Sequence, residues 1–364
     1  MVNTMFNGID LSSDTATQPT EKMKQAMFSA KLGDEQKKED PTTLQLQEMA
    51  AELLGVEQAL FFPSATMANQ VAIAVLCQPG DVLIAAENCH LFTAESGGVA
   101  IHSKVMVSPI RTKTGIFSAD DLEAAVSSCR KGIRYPNATC VSIENTTNLG
   151  GGLAWDLETL SAVLRKAKEL NLKTHLDGSR LFNAAVKLNV PPKKLTAGFD
   201  MITICLSKGL GCPIGALLAF PAAYYEKVER LKHLFGGALR QSGLLAAAGI
   251  YAFKYNISRL EEDHALAKLL TLKLQQEVPD IHVEAHPYST NMVFFSWHGT
   301  YLSPSQFHEA CGKRGFRFAQ IAENRFRAVF HLGIHSQDIH RVVENIKEIC
   351  AIHNENRFKQ IPKL

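Results

Sequence analysis

The sequence predicts an α/β fold built on a mostly parallel sheet, with a second, smaller α/β unit toward the C-terminal end. Three observations carry this. Six short apolar runs bounded by turn residues alternate with helical patterns over the first two thirds of the chain, as a sheet covered by helices on both faces requires. The 364 residues exceed the roughly 150 that one domain commonly holds. The composition is 46% hydrophobic and 20% charged, with 38 basic against 36 acidic residues and a net charge of +2. That balance excludes a disordered chain and offers no electrostatic footprint for a nucleic acid.

The six runs are Ala59–Phe62, Val82–Ala86, Thr139–Ile143, Leu172–Leu176, Met201–Cys205 and Ala216–Phe220. Each is short and nearly continuous in apolar residues, the pattern of a strand buried on both faces. Helical spacing fills the gaps, as in Leu122–Cys129 and Leu157–Leu170, where apolar residues three and four apart form one face. After Gly243 an apolar run opens a long helix expected to end near Val278. Beyond it, Met292–Phe295 and Phe326–His331 read as strands and Ser305–Arg314 and Ser336–Asn354 as helices. The expected division is a large unit over 1–248, including an N-terminal arm, and a small one over 249–364, although no Pro/Gly-rich linker marks the join. There is no internal repeat and no low-complexity tract.

Eight cysteines occur without a CxxC pair or regular spacing, which reads as buried thiols in a reducing compartment, hence the cytoplasm. Met1 to Leu11 has neither a cationic nor an apolar segment of the kind a signal peptide needs. The longest uncharged stretch, Gln58 to Gly80, is interrupted by Pro63, Ser64, Asn69 and Gln70, so no membrane span is expected. His331 and His335, and likewise His282 and His286, are four apart but next to Gly333 and Pro287. Helical metal-ligand spacing is therefore not met, and no metal is expected.

Three segments fall at or just after the carboxyl ends of expected strands, where open α/β sheets place their ligands. Phe61-Phe-Pro-Ser-Ala-Thr leads from strand to helix, and backbone N–H groups there, with the Ser64 and Thr66 hydroxyls, suit a phosphate; an ordinary Ser cap would leave the same signature. His175-Leu-Asp-Gly-Ser-Arg ends a strand on Asp177, a carboxylate that needs a partner. Arg180 is one candidate and the protonated ring nitrogen of a bound heterocycle is another. Ile204-Cys-Leu-Ser-Lys-Gly-Leu-Gly puts Lys208 directly after a strand with glycines behind it, a setting for a Schiff-base amine beside a planar ring. Phosphate cradle, acid and lysine together point to pyridoxal phosphate.

The ordered motifs Asp10-Leu-Ser-Ser-Asp, Glu39-Asp-Pro-Thr, Pro63-Ser-Ala-Thr-Met-Ala-Asn-Gln, Cys89-His-Leu-Phe, Glu95-Ser-Gly-Gly, Glu144-Asn-Thr, His175-Leu-Asp-Gly-Ser-Arg, Cys205-Leu-Ser-Lys-Gly, Gly236-Gly-Ala-Leu-Arg, Thr290-Asn-Met and Arg327-Ala-Val-Phe-His span nearly the whole chain. In these the chain resembles the threonine aldolases, grouped with the aromatic amino-acid β-eliminating lyases among fold-type-I pyridoxal-phosphate enzymes. The resemblance implies a mostly parallel seven-stranded sheet with a smaller C-terminal α/β domain, and a lyase that cleaves a β-hydroxy-α-amino acid to glycine and an aldehyde. It implies that Lys208 carries the cofactor, Asp177 holds the ring nitrogen protonated, and His90 stacks on the ring and is a candidate base. Ser64, Ala65, Thr66 and Ser207 would line the cofactor, with Arg240 approaching from another subunit of a dimer of dimers. Ser13, Arg180, Arg327 and Arg134 would meet the amino-acid substrate.

Four departures from the family pattern cluster where substrate is handled. Ser12 replaces an arginine, Lys37-Lys38 a Tyr-Gly pair, and Arg134 and Thr147 stand at two histidine positions. Two readings attach to them: a divergent but competent aldolase whose loops differ on a shared scaffold, and a changed substrate, with an acidic or bulky β-substituent meeting Lys37, Lys38 or Arg134. The alternatives are racemisation or β-elimination on the same scaffold, and a catalytically silent pyridoxal-phosphate-binding protein.

Overall fold

The computed structural model describes residues 6–130 and 132–360; residues 1–5, part of the stretch read for a signal peptide, lie outside them. The first two thirds form one sheet from β2 (Gln58–Phe62), β3 (Val82–Ala86), β4 (Met106–Ile110), β5 (Ala138–Glu144), β6 (Lys173–Gly178), β7 (Met201–Cys205) and β8 (Ala216–Phe220), in the order β2-β8-β7-β6-β5-β3-β4. Neighbours are parallel except β8, which runs antiparallel to both β2 and β7. Strand β3 is buried along its whole length, as a strand covered on both faces must be. The six expected strands all occur. The seventh, β4, lies on the sheet edge with Met106, Val107 and Pro109 exposed, so it lacks the continuous apolar run that marks a buried strand.

A second sheet takes β1 (Ile9–Leu11), β9 (Ile281–Glu284), β10 (Met292–Trp297), β11 (Phe316–Ala322) and β12 (Arg325–Val329) in the order β1-β11-β12-β10-β9. Its core is aromatic: Phe295, Trp297, Phe307, Phe318 and Phe326 are buried together, and Trp297 stacks on Phe307 with ring centroids 4.2 Å apart. Strand β1 reaches this sheet from the far end of the sequence, pairing parallel to β11 through Ile9↔Phe316 and Leu11↔Phe318. Three residues carry too little pattern to be read as a strand.

The single helix expected from 243 to 278 is two, Gly243–Tyr255 and Leu260–Glu277. The break comes at Asn256, whose side-chain amide donates to the Leu210 carbonyl at 2.8 Å. An asparagine offered a buried acceptor elsewhere leaves the helix readily. That bond anchors the break to the loop that follows Lys208. All eight cysteines are unbridged thiols, six of them buried. Among the described residues no helix is long and apolar enough to cross a membrane.

Candidate active site

Because β2, β3, β5, β6 and β7 point the same way, the loops at their carboxyl ends meet at one edge of the sheet. Ser64 follows β2 and caps the helix Ala65–Leu76, its Oγ accepting the Met67 N–H at 3.2 Å. The N–H groups of Ala65 and Thr66 precede any intrahelical acceptor, and Ser64 and Thr66 are exposed. The same helix sends Asn69 and Gln70 inward, both buried. Asn69 Nδ2 donates to Glu95 at 2.8 Å and to Asp177 at 3.1 Å, and Gln70 donates to the other Glu95 oxygen at 2.6 Å. His90, after β3, completes this layer with Nδ1 2.9 Å from Glu95. A carboxylate only accepts, so Nδ1 donates and the neutral ring presents its lone pair on Nε2. The Glu95 bond raises the His90 pKa, against burial that would lower it.

Asp177 is 2% exposed. Besides Asn69 it accepts the Ser179 N–H at 3.1 Å. Burial raises its pKa, but the nearby Lys208, the Ser179 bond and His90 outweigh it, and the carboxyl is held below the ordinary range. Beneath it His175 bridges Ser142 and Thr203 at 2.9 and 3.2 Å, and burial brings it down to about 4, so the ring is neutral. Lys208 sits half-buried in a turn closed by its own carbonyl accepting the Gly211 N–H at 2.8 Å. Its side chain acts on the charges of both Asp14 and Asp177. Among the described residues its ammonium has no hydrogen bond or ion pair within reach. Ser207 is half-buried beside it, with Oγ 3.5 Å from Cys205 Sγ.

The arginines sort by partner, and here the structure corrects the sequence reading. Arg180 does not pair with Asp177: its Nε and Nη2 each donate to Asp14 at 2.7 Å, both side chains buried. Arg180's bidentate edge is thus filled from within the chain. Arg327 donates through Nη1 to Asn148 at 2.6 Å and through Nη2 to the Ser12 carbonyl at 3.1 Å. Its Nε is buried and without a partner, and burial and the Arg180 charge bring its pKa down to about 10. Among the described residues, Arg180 keeps Nη1 without a hydrogen-bond partner, and Arg327 keeps a buried, unpartnered Nε. Ser13 stands beside them, its Oγ spent on capping the turn at Asp14.

Other expected residues lie elsewhere. Arg134 is exposed in the loop before β5, whereas Asp177 is registered with Glu144 at the far end of that strand; seven residues at about 3.3 Å each separate the two edges. Replacing Arg134 by Ala is therefore expected to leave kcat and KM within about twofold of wild type, as for any surface side chain away from the site; a tenfold rise in KM would put it back at the substrate. Lys38 does not point to the site either. It bonds Glu229 at 3.3 Å, lies 4.7 Å over the Tyr225 ring and holds φ 59°, a conformation that favours glycine. Lys37 is exposed. Thr147 is buried with its Oγ accepting the Leu153 N–H at 3.2 Å, bracing its own loop. Arg240 is exposed and bonded to Asp34 at 3.1 Å. Its loop nevertheless abuts the helix that follows Ser64, because a Cβ on Gly237 would come within 2.4 Å of Met67 Sδ.

Asp14, Asn69, Glu95 and Glu144 stand in the sequence only within motifs, and neither they nor Asn148 carry an expected role there. Glu144 satisfies the rule that found Asp177, an acid at the end of an apolar strand; the others carry no local signal.

Comparison with known proteins agrees with this geometry. The profile of the beta-eliminating lyase family matches residues 10–298. Low-specificity L-threonine aldolase 1 of Arabidopsis thaliana is 34% identical over 92% of this chain and 94% of its own. Low specificity L-threonine aldolase of Escherichia coli K12 is 39% identical over 79% and 84%. The solved threonine aldolase of Leishmania major superposes with a TM-score of 0.79 over 94% of this chain and 99% of its own, at 21% identity, a likeness of fold.

Proposed function

This chain belongs to the beta-eliminating lyase family, and from that premise we propose that it is a pyridoxal-phosphate-dependent carbon–carbon lyase that cleaves threonine-like β-hydroxy-α-amino acids to glycine and an aldehyde. The observation that carries the reading is the convergence of three unfilled functions at one sheet edge. Lys208 has no partner among the described residues, Asp177 is a carboxylate held ionised without an arginine, and Arg327 has an orphaned buried Nε. The donor set fits the cofactor: an amine to hold it, an acid for its ring nitrogen, and a helix start with free N–H groups for its phosphate.

Lys208 would hold the cofactor covalently, Asp177 would keep a proton on the ring nitrogen, and Ser64, Ala65 and Thr66 would take the phosphate. Ser207 would lie at its edge, and Arg240 would reach the phosphate of a neighbouring subunit. When bound, pyridoxal phosphate supplies the electron sink for a bonding pair at the substrate α-carbon. Arg327 binds the substrate carboxylate and so fixes which bond at the α-carbon is aligned to break. Arg180, locked on Asp14, adds positive potential behind it, and Ser13 lines the same corner. His90 Nε2 takes the β-hydroxyl proton as the Cα–Cβ bond breaks and the aldehyde departs; Glu95 stabilises the imidazolium that results. Thr147 offers no second base, since its hydroxyl is engaged with the backbone. Residues 1–248 act as the cofactor-holding unit and 249–364 as the unit that supplies Arg327. Eight unbridged thiols suit the cytoplasm, and we read the protein as a homo-oligomer, a dimer of dimers.

The test is a visible absorbance spectrum of purified protein with added pyridoxal phosphate, before and after L-threonine, L-allo-threonine or glycine, with aldehyde trapped in parallel. A cofactor band perturbed by all three, with aldehyde from the two hydroxy acids, is the expected result. 2-Oxobutanoate and ammonia without glycine would replace cleavage by β-elimination, and a band indifferent to every amino acid would leave a silent binding protein.

A further inference from the structure

The lyase reading leaves one buried carboxylate at the same edge without a role. Glu144 ends β5 in register with Asp177 and is 9% exposed. Its two oxygens serve two different loops: Oε2 accepts the backbone N–H of His90 at 2.7 Å, and Oε1 accepts the backbone N–H of Asn148 at 2.5 Å. The Asn148 side chain in turn accepts from Arg327 Nη1 at 2.6 Å. One carboxylate thus joins the segment that carries the base to the segment that aims Arg327.

We propose that Glu144 is a positioning residue whose ionised side chain clamps the His90 and Asn148 loops together and thereby sets Arg327 for the substrate carboxylate. The inference rests on the lyase reading of the site.

The chemistry of the contacts requires the charged form. Both partners are N–H donors, so each needs a lone pair, and a protonated acid would turn an O–H toward one of them. A bond to an ionised acceptor is also shorter and about twice as strong as a neutral one. The charged and titratable groups facing Glu144 are Asp177 on β6, Cys89 and His90 after β3, and Arg180 after β6. Burial, then the Asp177 charge, push the Glu144 carboxyl up to about 6, while the two N–H bonds and His90 pull it back. The clamp is therefore closed at neutral pH and opens as the pH falls through about 6. His90 titrates too, but glycine has no β-hydroxyl for a base to act on, so glycine affinity reports the clamp separately from the base.

The experiment is a titration of cofactor-loaded enzyme with glycine, followed by absorbance from pH 5 to 8. Wild type is expected to lose affinity by up to about tenfold per pH unit below the transition, as one linked proton requires. Glu144→Gln offers one acceptor and two unwanted donors; it is expected to bind glycine roughly 10- to 100-fold more weakly at neutral pH, with no step near 6. Asn148→Ala, which leaves the carboxylate in place, is expected to weaken binding in the same direction and keep the step. Wild-type affinity in either variant, or a step that survives in Glu144→Gln, overturns the proposal. Should Glu144→Gln fail to fold, Asn148→Ala decides alone. Wild type that binds glycine with this step yet releases no aldehyde would sink the lyase reading and leave the clamp standing.

Discussion

Lys208→Ala will fold like the wild type and lose the cofactor band, with activity down by at least about 10³-fold, which is roughly 4 kcal/mol of transition-state stabilisation. The two halves of this expectation have separate causes. The turn does not depend on the ammonium, which makes no hydrogen bond among the described residues: it is held by backbone bonds, Lys208 C=O to Gly211 N–H at 2.8 Å and Leu206 N–H to Gly215 C=O at 3.0 Å. Losing that charge weakens the hold on ionised Asp14 and Asp177, so the variant is expected to melt somewhat earlier while keeping the fold. Chemically the amine is the only group in the constellation that can hold the cofactor covalently. Spectroscopy of the variant with excess pyridoxal phosphate, next to a thermal melt, measures both. A variant that keeps the band and the activity would remove Lys208 from the centre of the site.

Asp14→Ala reverses that pattern, with a large loss of stability preceding any loss of chemistry. Arg180 is 6% exposed and its bidentate edge meets only Asp14. Removing the carboxylate leaves a buried charge unpaired, at a cost of about 3–5 kcal/mol. Denaturant melts of Asp14→Ala, Arg180→Ala and the double variant form the cycle that tests it. The double variant should lose less than the sum of the singles, because the uncompensated charge is gone. Additive losses would mean that the pair is not coupled.

The same pair predicts a pH dependence. Burial would raise the Asp14 carboxyl, but the Arg180 charge and its hydrogen bonds prevail and bring it down from 3.8 to about 2. A depressed folded pKa means that the pair's stabilisation is complete above about pH 4 and fades as the pH falls toward 2. In Asp14→Ala that part of the acid transition should disappear.

How far the sequence could be read follows from the range of the interactions behind each feature. The runs at 82–86, 201–205 and 216–220 coincide with β3, β7 and β8, because a strand buried on both faces must be apolar residue after residue. The expected helix at 157–170 differs from the observed Leu157–Glu169 by one residue, its ends marked by Asp156 and by the loss of apolar spacing. Where burial relaxes or alternates, the pattern weakens: β4 on the sheet edge, β9, β11 and the three-residue β1 went unread.

By itself, then, the sequence determined the alternation of strands and helices, the family, and the place of Ser64, Asp177 and Lys208 at strand ends, since these depend on residues close together in the chain. Only the tertiary structure decided which partner each arginine meets. Arg180 meets a carboxylate 166 residues away, Arg327 meets a side chain 179 residues away and a backbone carbonyl 315 away, and Arg134 lies at the opposite edge of the sheet. A buried charge takes whichever partner the completed packing brings within about 3 Å, and that distance is set by the assembled fold, not by spacing along the chain.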